Sequence, residues 1–145
     1  MRIYTIGFTQ RTAEDFFKTL KKSGARHLLD IRLNNTSQLA AFTKKQDLPY
    51  FLKKLADVEY HEAPELAPSD SILKEYRLSK NWQTYENKYN KLIMKRKAEK
   101  TVPGEWLKEG AVLLCSEYDP SKCHRRLAAE YLARKITGRI VVKHL

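Results

Sequence analysis

Gly110-Ala111-Val112-Leu113-Leu114-Cys115-Ser116-Glu117 is the stretch on which the fold turns. A continuous apolar run, closed by a glycine before it and a polar pair after it, is the pattern of a strand buried on both faces. Such a strand belongs to a mostly parallel sheet with helices above and below. Downstream, Asp119-Pro120 offers an N-cap followed by proline at the first helical position, which predicts a helix from there to about Ile136. Gly138 stops that helix, and Arg139 to Leu145 forms a last strand.

Upstream, strands and helices alternate. Arg2 to Phe8 is a β-branched and aromatic run, predicted as the first strand. Thr12 then caps a helix with acidic residues in its first turn, a buried stripe of Phe16, Phe17 and Leu20, and Gly24 as the C-cap. Arg26 to Leu33 reads as a second, mostly buried strand. Asn34 to Gln46 is polar and predicted as loop. Asp47 is expected to cap a helix carrying Leu48, Phe51, Leu52 and Leu55. Val58-Glu59-Tyr60-His61 is a short third strand ended by Pro64 and Pro68. From Ser69 to Lys100 the pattern is helical, with a break near Ser79 to Asn81. Trp82, Tyr85, Tyr89, Leu92, Ile93 and Arg96 share one face there, and Lys88, Lys91, Lys95 and Lys97 fall mainly elsewhere. That mixture reads as a core stripe beside a solvated lysine face, or as an aromatic and basic groove for nucleic acid.

The expected fold class is therefore α/β: residues 1–145 as a single domain, a three-layer sandwich whose mostly parallel sheet of about five strands is covered by helices on both faces. A chain of 145 residues is long enough to bury one core, and 42% apolar with 31% charged residues is a globular composition rather than a disordered one. No apolar run approaches the roughly 20 residues of a membrane span, so no membrane partner is expected. The first residues lack the apolar stretch and cleavage site of a signal peptide, and the two cysteines suit a reducing compartment, so the expected location is cytoplasmic. The sequence leaves any cofactor unassigned and shows no metal-binding pattern. Two cysteines are too few for a zinc ribbon, and a cysteine–histidine site needs His27, His61 or His144 brought in by the fold. The net charge of +11 raises an anionic small molecule or nucleic acid as partner; solubility is the plainer reason for it.

Right-handed crossovers place every strand-to-helix loop at one edge of such a sheet, where ligands bind. Thr9 and Arg11 follow the first strand, Asp30 and Arg32 end the second, and Glu117, Cys123, His124 and Arg125 follow the strand at 111–115. On a helical wheel His124 falls near the middle of the side defined by Leu127, Ala128, Tyr131, Leu132 and Ile136. Cys123 and Arg125 flank it in the first turn, beside unpaired amides and the positive dipole end. Asp30 and Glu117 are candidate proton carriers, Cys123 a candidate nucleophile and His124 its companion. Thr9, Arg11, Arg32 and Arg125 are candidate substrate ligands. Each has a plainer reading: an Asp30–Arg32 ion pair, packing cysteines (Cys115 above all), a structural His124, and Glu117 as partner of Arg125.

The strings themselves are familiar. Leu113-Leu114-Cys115-Ser116-Glu117, Asp119-Pro120 and Cys123-His124-Arg125-Arg126 resemble the closing signature of the domain of unknown function 488 family. Thr5-Ile6-Gly7 with Thr9 and Arg11 resembles its opening string, and Leu29-Asp30-Ile31-Arg32 its second strand. The resemblance runs from Tyr4 to about Arg134 and implies a compact α/β domain in a bacterial or archaeal cytoplasm, without an established activity. Phe8 stands where the family usually has histidine, and Pro64-Glu65-Leu66-Ala67-Pro68 replaces its glycine turn. Two functions follow as expectations: an enzyme acting on an anionic, phosphate-bearing or nucleic-acid-related substrate at the carboxyl ends of the strands, or a non-catalytic nucleic-acid-binding module.

Overall fold

A computed structural model describes residues 1–36 and 40–145. In chain order its elements are β1 (Arg2–Gly7), α1 (Ala13–Ser23), β2 (His27–Asp30), α2 (Leu48–Ala56), β3 (Glu59–Glu62), α3 (Asp70–Ser79), α4 (Trp82–Lys95), α5 (Gly104–Glu109), β4 (Ala111–Cys115), α6 (His124–Lys135) and β5 (Val141–His144). The five strands form one sheet in the order β3-β2-β4-β1-β5, and every pairing is parallel. The α/β sandwich expected from the sequence is present.

Strand alternation divides the core in two. Tyr4, Ile6, Leu28, Val112 and Leu114 pack with Phe16, Phe17 and Leu20 of α1 and Leu48 and Leu52 of α2. Ile3, Leu29, Ala111 and Leu113 pack on the other face with α4, α5 and α6. Each large apolar side chain so buried contributes about 1.5–3 kcal/mol. β4 serves both cores, which is why all five of its residues are apolar and buried. Tyr85, Tyr89 and Ile93 of α4 are buried while Lys88, Lys91, Lys95 and Lys97 are exposed, so the aromatic stripe is core. Among the described residues, no helix is long and apolar enough to cross a membrane.

Helix ends follow local chemistry. Thr12 Oγ1 accepts the Asp15 amide, and Gly24 closes α1 at φ 77°. Ser69 and Asn81 cap α3 and α4 in the same way. Two expectations need correction. Asp47 sits at the cap of α2, but its side chain makes no capping bond. The last long helix begins at His124, not at Asp119-Pro120. Asp119 spends its carboxylate on the Ser121 amide at 2.9 Å, a side-chain-closed turn that competes with helix. Cys123 therefore occupies the cap position of α6 and lies outside its first turn.

The winding positions the site. β2 continues to β3 through α2 on one face, and β4 continues to β5 through α6 on the other, in the opposite direction. The exits of β2 and β4 are thus the point where the windings diverge, the place where open α/β sheets leave a crevice.

Candidate active site

A cavity of about 170 Å³ occupies that crevice. A dry cavity of roughly 150 Å³ holds a benzene ring, so this one suits a small molecule. Its lining includes Cys115, Glu117, Cys123, His124 and Arg32. α3 and α4 close its side with Tyr76, Arg77, Trp82 and Tyr85, and Lys122 sits on the rim. Arg77 and Lys122 thus face it as cations against the Glu117 carboxylate, while Arg32 is paired with Asp30. Arg77 and Lys122 are exposed and form no ion pair among the described residues.

Beneath lies a buried cluster of two sulfurs and an imidazole. Cys123 Sγ donates to Cys115 Sγ at 2.7 Å, and Cys115 Sγ lies 3.7 Å from His124 Nδ1. His124 Nε2 is 2.8 Å from the Ile31 carbonyl. A carbonyl only accepts, so Nε2 carries a hydrogen and Nδ1 is the atom whose proton is shared with Cys115. The Cys123 thiol holds the Cys115 thiol well below its ordinary range; burial opposes this, and a His124 cation reinforces it. Burial disfavours that His124 cation, but the Cys115 sulfur and the Ile31 carbonyl outweigh it, and the imidazole shifts up. Cys123 shifts the other way: its bond to Cys115, then burial, keep its proton on. The three groups form a chain in which Cys123 can donate to Cys115 and Cys115 can share a proton with His124 Nδ1.

These three residues also offer ligand atoms within 4.8 Å of one another. Two thiolates on a tetrahedral zinc, with bonds of about 2.3 Å, stand nearly 4 Å apart. In the structure the two sulfurs lie 2.7 Å apart, closer than a pair of zinc ligands.

The β4 exit is held from below. Thr9 donates its hydroxyl (2.8 Å) and its amide (3.1 Å) to the Ser116 carbonyl. Arg125 is fully buried; it donates to the Glu117 carbonyl and, at 2.8 Å, to the Tyr118 carbonyl. Gly7 lets these groups approach, because a Cβ there would lie 1.6 Å from the Glu117 oxygen. On the β2 side, the buried Asp30 carboxylate accepts Arg32 Nε and Nη2, both at 2.8 Å, and the Tyr60 hydroxyl at 2.6 Å. Arg32 Nη2 also donates to the Thr43 carbonyl. Burial, then the bond to Asp30, raises the Tyr60 phenol and keeps it a donor. Arg11 bonds Asp15 and the Leu145 carbonyl, both at 2.8 Å, away from the cavity.

Of the residues singled out in the sequence, Arg32, Glu117, Cys123 and His124 line the cavity, whereas Thr9, Arg11, Asp30 and Arg125 do not. Cys115 is buried, as a core residue should be, and is also the centre of the sulfur cluster. Arg77 and Lys122 escaped sequence reading because exposed cations on a lysine-rich chain carry no distinguishing signal. Phe8 is buried, with its ring 5.5 Å from the Arg32 guanidinium, and so supports that side chain by packing and cation–π contact. The Pro64–Leu66 segment forms a 3-10 turn, and Arg96 Nη1 takes the carbonyls of Pro64, Glu65 and Ala67.

The family model described as domain of unknown function DUF488 matches residues 12–132. The chain belongs to that family. The match spans the strand-two string and the whole Cys115-to-Arg126 signature of DUF488, while the opening Thr5-Ile6-Gly7 string lies outside it. No curated protein and no solved structure gives a match.

The Asp30–Arg32 pair gives a stability prediction. Removing one partner of a buried ion pair strands the other charge, at a cost of about 3–5 kcal/mol. Asp30→Ala is expected to lose that much in urea denaturation; a loss within about 1 kcal/mol places the pair among exposed ones.

Proposed function

We propose that this DUF488 domain is an enzyme that acts on a small anionic substrate through the Cys115 thiolate. The observation that carries this reading is the sulfur cluster under a cation-rimmed cavity. Cys115 is the nucleophile, a change from the expectation that placed Cys123 in that role. Cys123 stabilises the thiolate by donating to it, and His124 supplies the balancing charge and can return its Nδ1 proton to a leaving group. Arg77 and Lys122 attract the anion, and Arg32, paired with Asp30, lines the cavity beside them. Asp30 holds Arg32 in place, its lone pairs already taken by donors, so proton transfer falls to His124 or to Glu117, whose exposed carboxylate has no partner among the described residues. Thr9, Gly7 and Arg125 set the shape of the β4 exit and act through it, and Arg11 has no part in substrate binding.

Alkylation tests this without knowledge of the natural substrate. Iodoacetate, an anion, is expected to modify Cys115 faster than neutral iodoacetamide, the reverse of the order for a free cysteine in solution. Replacing Arg77 and Lys122 by alanine should erase the preference while leaving the iodoacetamide rate unchanged. Equal rates with the two reagents on the parent protein contradict an anion-selective site. A nucleic-acid-binding module predicts instead an oligonucleotide affinity that falls steeply with salt.

A further inference from the structure

A second cluster of donor atoms stands at the opposite end of β2, independent of the thiol site. In the parallel register His27 lies opposite Glu59 and Leu29 opposite His61, so the two strands bring both imidazoles and a carboxylate together at the sheet edge. His27 Nδ1 is 3.0 Å from His61 Nε2, and Glu59 Oε2 is 3.8 Å and 3.9 Å from the same two nitrogens. Ligands on a tetrahedral metal with bonds of about 2.0–2.1 Å stand roughly 3.3 Å apart, a spacing these three separations bracket.

The surroundings are those of a metal ligand set. His27 Nε2 is 2.7 Å from Glu109 Oε2. An ionised carboxylate only accepts, so Nε2 carries the hydrogen and the Nδ1 lone pair points into the cluster. A carboxylate orienting a ligating imidazole in this way is the usual outer-shell partner of a metal histidine. Trp106 of α5 stacks on both rings, at 3.8 Å and 19° for His61 and at 5.5 Å and 20° for His27, fixing their planes. His27 is buried and Glu59 is exposed, so a fourth position faces solvent.

We infer that His27, His61 and Glu59 bind a divalent transition metal of the zinc type, with Glu109 as the positioning residue for His27 and one coordination position open to water. Imidazole and carboxylate donors suit zinc and its neighbours rather than calcium or magnesium. No spacing rule finds this site in the sequence, because its ligands come from adjacent strands.

Zinc titration of the chelator-treated full chain, followed by the nitrogen shifts of the histidine rings, tests it. One equivalent is expected to shift His27 Nδ1 and His61 Nε2 and leave His124 unmoved. His61→Ala should abolish the shifts. Glu109→Gln should weaken binding by about 10–100-fold. Glu59→Gln alters an exposed side chain without touching the core, and should also weaken it. Shifts confined to His124, or zinc affinity unchanged in His61→Ala or in Glu59→Gln, overturn the inference.

Discussion

Gly7→Ala is expected to destabilise the protein by at least about 3 kcal/mol, the upper end of ordinary overpacking costs. A methyl group at position 7 meets the Glu117 carbonyl oxygen at 1.6 Å and Arg125 Nη1 at 2.2 Å. The guanidinium end of Arg125 can swing, but the carbonyl is backbone, and its segment is fixed by Thr9 and Arg125. Relief therefore requires moving the β4 exit, which carries Cys115 and Glu117. A domain is stable by only about 5–15 kcal/mol, so the loss is a large share of the total and is readily measured. Gly104→Ala is the control: no atom lies within 4 Å of its added Cβ, and its φ is unstrained, so its stability should stay within about 1 kcal/mol of the parent. Equilibrium urea denaturation of both decides the matter, and a Gly7→Ala variant as stable as Gly104→Ala contradicts the close approach.

Cys115→Ser is expected to remove the reactive thiol altogether, and His124→Ala to slow its alkylation at neutral pH by removing the ring that helps hold it ionised. The alkylation rate of each variant, read by peptide mass, checks both. The two groups also link stability to pH with opposite signs. Cys115 is lowered, so its contribution is complete above the unfolded thiol value of about 8.5 and is lost as pH falls through the folded one. His124 is raised, so its contribution is complete below about 6.5 and is lost as pH rises through the folded value. Cys115→Ser should remove the first dependence and reverse the second, because burial, the largest influence on His124, lowers it once the Cys115 sulfur no longer opposes it. Alkylation of Cys123 rather than Cys115 in the parent reverses the assignment of nucleophile and donor.

Most of the fold was legible because it rests on local signals. Thr12 and Gly24 bracket α1 where capping chemistry places them, and the apolar run 111–115 is β4 to the residue. The alternation of strands and helices carried the sheet, though not the order in which β4 inserts between β1 and β2. What misled the reading was competing local chemistry. Asp119-Pro120 looks like a helix start, yet Asp119 closes a turn on Ser121 and delays α6 to His124. The short helix α5 was not anticipated; six residues give too little periodicity to stand out.

The lining of the cavity was legible in part. Topology brought Arg32, Glu117, Cys123 and His124 to one cavity, as residues at the carboxyl ends of parallel strands should be. A sequence shows a guanidinium but not its partners: Arg125 donates to the Glu117 and Tyr118 carbonyls, Arg11 to Asp15 and the Leu145 carbonyl, and neither lines the cavity. Cys115 was hidden by its own burial. Only coordinates reveal that a sulfur at the end of an apolar strand receives a thiol and faces an imidazole.

An ionised Cys115 is tested most directly by the pH dependence of its carboxymethylation in the parent protein. The rate should hold its plateau well below the ordinary thiol range near 8.5, falling only when the cluster takes up a proton from solvent and Cys115 becomes a thiol. A rate that tracks an ordinary thiol through that range, or a Cys115 that never reacts while the protein stays folded, contradicts a thiolate at the floor of this cavity.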